Sequence, residues 1–189
     1  MAYFELKGIG DGSDESLCFF DGFPRGFGYH LGSGDAVGHE YPKDAKLYML
    51  KRHPGTRLCS YIGNTSGMLL VSKELRALFE KHCAPGTVEY LPVTIIDHKK
   101  RPYSSDYTIA NPLGTYACVD KAASKIQWHE GKVLLVEQLV LSEEKLKRVP
   151  QLFRPDVWPR TYIFGPELVA DIRAAKLTNV WLRPFETTR

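Results

Sequence analysis

The sequence predicts an α+β fold, with mixed and antiparallel sheets and about three helices. Three observations carry this. Residues 1–66 alternate short apolar pieces with glycine-dense turns, and residues 68–96 and 162–182 each read as strand, helix, strand. Further strand-like runs lie between those two units, so sheets outweigh helices.

In the first third, nine of the sixteen glycines fall between residues 8 and 38. Glycine at that density marks turns and irregular backbone. Residues 3–7, 17–20, 47–50 and 58–62 are the strands expected between those turns. This gives a glycine-rich, β-rich region over 1–66, expected to form one compact unit with an α+β region over 67–189.

From Gly67 the pattern becomes regular. Met68-Leu-Leu-Val71 reads as a buried strand, and the Ser72 side chain can cap a helix. Leu75, Leu78, Phe79 and His82 then fall on one helical face, which Pro85-Gly86 ends. Residues 88–96 return as a strand, where Pro92 demands an edge or a bulge. The second unit has a strand over 162–164, Gly165 at the cap and Pro166 in the first turn, where its missing N–H costs little. Leu168, Val169, Ile172 and Ala175 supply its apolar face, and residues 180–182 close it. Ser72-Lys-Glu-Leu75 and Gly165-Pro-Glu-Leu168 are offset by 93 residues, and each puts a glutamate at the positive end of its helix. Between the units, residues 107–109, 115–119 and 133–141 are strand-like, and residues 142–148 read as a short helix.

Charge narrows the function classes. With 25 basic and 22 acidic residues the net charge is +3, too small for a dedicated nucleic-acid binder. It equally fails the acidic profile of a DNA mimic. Cys18, Cys59, Cys83 and Cys118 are scattered, without a C-x-x-C pair, and read as buried free thiols. No secretory signal and no run of membrane-spanning length is visible, so a reducing cytoplasm is the expected location and no membrane partner is expected.

No motif announces catalysis. The loop Gly32-Ser-Gly-Asp-Ala-Val-Gly38 lacks phosphate-loop spacing, and no G-x-S-x-G or H-E-x-x-H occurs. No cofactor or metal is expected. His30 and His39 flank the glycine loop, which leaves open a small enzyme or ligand-binding protein with a His/carboxylate cleft.

Two stretches suit a contact surface. Phe19 to Tyr29 packs five aromatics into eleven residues broken by glycine and proline, more than one regular element can bury. Asp97-His-Lys-Lys-Arg-Pro102 reads as a solvated hairpin loop, or as a basic contact loop with Tyr103 and Tyr107 alongside.

Three ordered stretches carry a family resemblance. They are Leu69-Leu-Val-Ser-Lys-Glu-Leu75 leading to Val88-Glu-Tyr-Leu-Pro-Val93, Asp106-Tyr-Thr-Ile-Ala-Asn-Pro-Leu-Gly114 leading to Cys118-Val-Asp120, and Leu152-Phe-Arg154 followed by residues 164–180. Over about residues 67–183 the chain resembles the immunity protein 11 family of bacterial polymorphic toxin systems. The resemblance implies a non-enzymatic protein, encoded beside a secreted or contact-delivered toxin, whose partner is that toxin. The expected toxin contacts are Phe23, Arg25, Phe27 and Tyr29 with His98, Lys99, Lys100, Arg101 and Tyr103. Asn111, Pro112 and Arg154 are expected to be turn and packing residues, with Arg154 paired to a buried carboxylate. The glycine-rich stretch at 8–38 departs most from the family.

Overall fold

Apolar alternation sets the sheets. In the run Leu69-Leu70-Val71, Leu69 and Val71 enter one core cluster while Leu70 enters another, as the two-residue period of a strand requires. The computed structural model describes residues 2–7, 13–20 and 27–188, with the His39 side chain outside that description. Within it, a five-stranded sheet has the order β2–β5–β6–β4–β3. Its strands are β2 (Lys46–Tyr48), β3 (Tyr61–Ile62), β4 (Leu69–Ser72), β5 (Val88–Ile96) and β6 (Pro102–Pro112). A four-stranded sheet, β10–β11–β1–β12, is built from β1 (Phe4–Leu6), β10 (Leu152–Phe153), β11 (Ile163–Phe164) and β12 (Leu182–Pro184). Two further pairs are the hairpin of β7 (Lys125–His129) with β8 (Lys132–Gln138), and the parallel pair of β9 (Val140–Ser142) with β13 (Glu186–Thr188). The helices are α1 (Gly28–Ser33), α2 (Lys73–His82) and α3 (Pro166–Ala174). The α+β expectation holds.

The two strand–helix–strand units are topological twins. β4 and β5 flank β6, each antiparallel to it, and α2 connects them. β11 and β12 flank β1 in the same way, and α3 connects them. In both units the connection skips one strand's width, and an antiparallel strand from elsewhere in the chain fills the gap. Pro92 fits because β2 covers only Thr94 to Ile96 of β5, leaving that edge open at Pro92, and register shifts follow at once.

The helix starts solve one capping problem in two ways. Ser72 Oγ accepts from Leu75 N, closing the first turn of α2. Gly165 has no side chain to offer. Gln151 reaches in instead, its Oε1 accepting from Glu167 N at 3.1 Å and Leu168 N at 3.3 Å. A Cβ at Gly165 would collide with that Gln151 side chain. Gly165→Ala and Gln151→Ala are each expected to cost about 1 kcal/mol, the value of one helix cap. The double variant should cost little more than either single, as a double-mutant cycle by chemical denaturation would show.

α2 and α3 lie side by side between the two sheets. Leu75 and Phe79 from α2 join Leu168, Val169 and Ile172 from α3 against Phe4, Val71, Ala110 and Phe164. At the seam Asp171 accepts from Lys81 Nζ and faces His82 Nε2 at 2.8 Å. Those two partners, Lys81 first, hold its carboxyl below the ordinary carboxylate value. A second cluster (Phe20, Leu47, Ile62, Ile95, Ile109) covers the other face of the five-stranded sheet, and a third (Cys118, Leu141, Phe153, Ile163) that of the four-stranded sheet. All four cysteines are buried free thiols, and burial pushes Cys18 and Cys118 up to about 12.

Several expected elements differ. Residues 17–20 and 115–119 form no strand and make only isolated bridges, Leu17 to Arg57, Phe20 to Met49 and Asn64, Tyr116 to Pro155, and Val119 to Leu141. The run 133–141 breaks at Leu139 into β8 and β9. The expected helix over 142–148 shrinks to a 3-10 turn at Lys145–Arg148, because Ser142 is taken by β9 and pairs with Thr188. Ala175 is the exposed C-cap of α3 rather than part of its buried face. Asn111-Pro112 ends a strand instead of starting a turn.

Candidate interaction surfaces

Arg154 organises the end of the five-stranded sheet at Pro112. It follows β10 directly and is only 1% exposed. Its Nε donates to Pro112 O at 2.9 Å, Nη1 to Pro159 O at 2.6 Å, and Nη2 to Leu31 O at 2.8 Å and Asn111 Oδ1 at 3.1 Å. The guanidinium also lies 4.4 Å from the centre of the Tyr162 ring, whose hydroxyl bonds Gly67 O. The expected direct pairing with a buried carboxylate is therefore corrected: three backbone carbonyls, the Asn111 amide oxygen and the Tyr162 hydroxyl accept the guanidinium's hydrogens. The carboxylate is present one step away. Asn111 Nδ2 donates to Glu89 Oε2 at 3.2 Å, and Glu89 in turn accepts from the backbone N–H groups of Val37 and Gly38. An amide thus joins a buried cation to an anion, and Arg154, Asn111 and Glu89 each bond the segment 31–38, at Leu31 O, Asp35 O and the N–H groups of Val37 and Gly38.

That knot holds α1 in place. A six-residue helix containing Gly28 and Gly32 has poor intrinsic stability. It persists because Leu31 is buried and its carbonyl is bonded by Arg154. Gly34 ends it in the left-handed region at φ 82°, close against Arg154 and the carbonyl of Gly114. On this platform Phe27 packs against Tyr41, while Tyr29 is 76% exposed. His30 Nδ1 faces Asp35 Oδ2 at 3.2 Å, both about half exposed, so the pair closes the helix end at the surface. Among the described residues no group of three or more His, Cys, Asp or Glu could hold a metal.

The basic loop sits at the other end of β6. Asp97 organises it, its Oδ1 accepting from the backbone of Lys99 and Arg101 and its Oδ2 from the Arg101 guanidinium. Those bonds, the Arg101 backbone first, hold its carboxyl below the usual range. Lys100 takes φ 61° at the turn, and Lys99 and Lys100 are exposed, as is Tyr103. His98 is half-buried, and its Nε2 has no hydrogen-bond partner. Ten residue steps of β6 separate Pro102 from Pro112, roughly 30 Å of strand. Tyr29 and the 97–103 loop are therefore not brought together. Phe23 and Arg25 lie outside the described residues.

Sequence reasoning expected a strand over 133–141 but missed β7, with which β8 forms a hairpin arm. It turns at Glu130 and Gly131, both at positive φ, as a two-residue hairpin turn requires. Ile126, Val133 and Val136 pack inward on the third core cluster, leaving Trp128, Leu134 and Leu135 largely exposed. The missed signal was the Glu-Gly pair between two apolar runs. Beside the arm, a cleft of about 410 Å³ separates Val136 to Leu139 from Arg183 to Glu186, with Trp158 and Thr161 also lining it.

Residues 13–187 match the Immunity protein family (Imm11). The chain belongs to this immunity protein family. No curated protein matches it. The match begins at residue 13, so it extends well beyond residues 67–183 and spans most of the glycine-rich stretch. Membership implies a cognate toxin as partner. The described surfaces then read as three regions an Imm11 protein could offer: the α1 platform, the 97–103 hairpin, and the β7–β8 arm with its cleft. No described helix is long and apolar enough to cross a membrane.

Proposed function

We propose that this chain is a non-enzymatic immunity protein of the cytoplasm, which binds a cognate bacterial toxin and covers its active or binding surface. The observation that carries the reading is the family match across residues 13–187. The test is to express the toxin domain of the adjacent reading frame with and without this chain. Growth restored by the chain, with a complex recovered by gel filtration, is the expected result. Persistent toxicity beside well-folded, abundant chain would sink the reading.

A standard interface buries about 800 Å² on each partner, so one toxin centres on one end of β6 and not on both. The α1 end is favoured. There Tyr29 is presented on a platform fixed by Arg154, and a rigid, pre-ordered aromatic loses little entropy on binding. At the far end Arg101 already has its carboxylate, and Lys99 and Lys100 are exposed, so fixing their long side chains against a partner costs entropy for little gain. Tyr29→Ala should weaken toxin binding roughly tenfold, and Lys99→Ala with Lys100→Ala should leave it within about twofold. Calorimetry giving the reverse order would move the site to the hairpin.

A further inference from the structure

Where α3 ends and the chain turns toward β12, it leaves a groove of about 280 Å³. The floor is apolar, since Ile172, Leu177, Val180 and Leu182 belong to or pack on the core cluster that α2 and α3 share. Trp181 also lines the groove and is 52% exposed, although tryptophan is mostly buried in folded chains. Arg173 and Lys176 complete the lining, both exposed and, among the described residues, without a carboxylate partner. The backbone beneath Lys176 is held in an unfavourable state. α3 closes in a Schellman turn, Lys176 N donating to Arg173 O at 3.1 Å and Leu177 N to Ile172 O at 3.5 Å. The left-handed residue of that turn is ordinarily glycine, yet Lys176 occupies it at φ 50°. Glycine would serve the turn better, and what lysine adds is an ammonium at the groove. Positive charge continues from there toward α1. Leu6 pairs with Leu182, and Lys7 N then donates to Trp181 O at 2.9 Å, so Lys7 and Trp181 are cross-strand neighbours. Arg160 lines a recess with Leu6 and Tyr61 and packs over Gly32 of α1. Lys7 and Arg160 are exposed and, among the described residues, also lack a carboxylate partner. Of the carboxylates on β1 and α3, Glu5 is taken by Arg183 and Asp171 by Lys81 and His82, while Glu167 lies at the opposite end of its helix.

Resting on the immunity reading, we propose that this groove takes an acidic segment of the toxin that carries one bulky apolar side chain. The apolar side chain enters over Ile172 and Leu177 beside Trp181, and the carboxylates around it meet Arg173, Lys176 and Lys7. A space of about 280 Å³ admits a side chain and not a helix. Charge sets the sign of the partner, because uncompensated cations on one face repel a basic surface and speed the approach of an acidic one. The half-exposed indole supplies contact area that a solvated lysine cannot, so residence in the complex depends on Trp181. Arg160 lies between this groove and α1, so a toxin centred on Tyr29 reaches the groove along an unbroken positive band. A nucleic-acid strand fits less well. It needs stacking platforms along a cationic track, and the floor of this groove is aliphatic.

The experiment measures binding of the toxin domain from the adjacent reading frame to the wild-type chain and to two variants, at low and at physiological salt. The variants are Lys176→Gly and the pair Lys7→Ala with Trp181→Ala. Lys176→Gly separates folding from recognition. Glycine relieves the left-handed position, so the melting temperature should rise by about 2 °C. Its affinity for the toxin should nevertheless fall about threefold at low salt, and less at physiological salt. The paired variant should bind at least tenfold more weakly at either salt while still unfolding in one transition. Wild-type binding with equal affinity for both variants overturns the groove as a contact and leaves the immunity reading standing. Tighter binding by Lys176→Gly makes the incoming segment basic and overturns the proposal. Self-association of the chain without toxin, or capture of a single-stranded oligonucleotide, that Lys176→Gly abolishes assigns the groove to that ligand and overturns the proposal as well. Failure of the wild type to bind the domain removes the immunity reading and the groove assignment together.

Discussion

Arg154→Ala is expected to destabilise the protein by about 3–5 kcal/mol, the cost of removing one partner from a buried ionic network. The loss comes less from the guanidinium's own bonds than from what it leaves behind. The carbonyls of Leu31, Pro112 and Pro159 and the Oδ1 of Asn111 would stay buried without their donor. Arg154→Lys should recover only part of this, because a point-like ammonium cannot serve acceptors spread around a planar fork. Asn111→Ala should cost less than Arg154→Ala, since it removes one acceptor of the arginine while also uncoupling Glu89. Equilibrium urea denaturation gives the order. Hydrogen exchange should show residues 31–38 losing protection first, because that segment depends on Arg154 and Glu89. An Arg154→Ala protein as stable as wild type would mean the carbonyls find water, and that the knot is replaceable.

What the sequence made legible follows physical range. The twin units could be read because their signals are local: a cap, a helical apolar face and a β-rich run all fall within thirty residues. Ser72, Phe79, Leu168 and Val169 sit where that pattern puts them. Arg154 could not be read, since its partners lie up to 123 residues away and are mostly backbone carbonyls, which carry no side-chain signature. α1 was hidden for the same reason, being a glycine-containing turn made helical by tertiary contacts. The contact surface was legible only as composition. Aromatic and basic residues were identifiable, but a strand of eleven residues keeps the two groups at opposite ends, and register alone reveals that.

Phe79→Ala is the second large effect expected, about 3–5 kcal/mol for a fully buried aromatic. Its interest lies in where the loss spreads. Phe79 meets Phe164 edge-to-face at 5.9 Å, and these rings join α2, which belongs to the five-stranded sheet's unit, to a strand of the four-stranded sheet. Their cluster includes Phe4 and Leu6 from β1 as well as Leu69 and Val71 from β4. A cavity there weakens both sheets, so unfolding should remain a single transition at lower denaturant. Amides of β1 and β11 should lose protection by the same free energy as those of β4 and β6. If the β4–β6 amides weaken while β1 and β11 keep wild-type protection, the two twins fold on separate cores. Their alignment through α2 and α3 would then hold only by surface contacts such as Asp171 with Lys81 and His82.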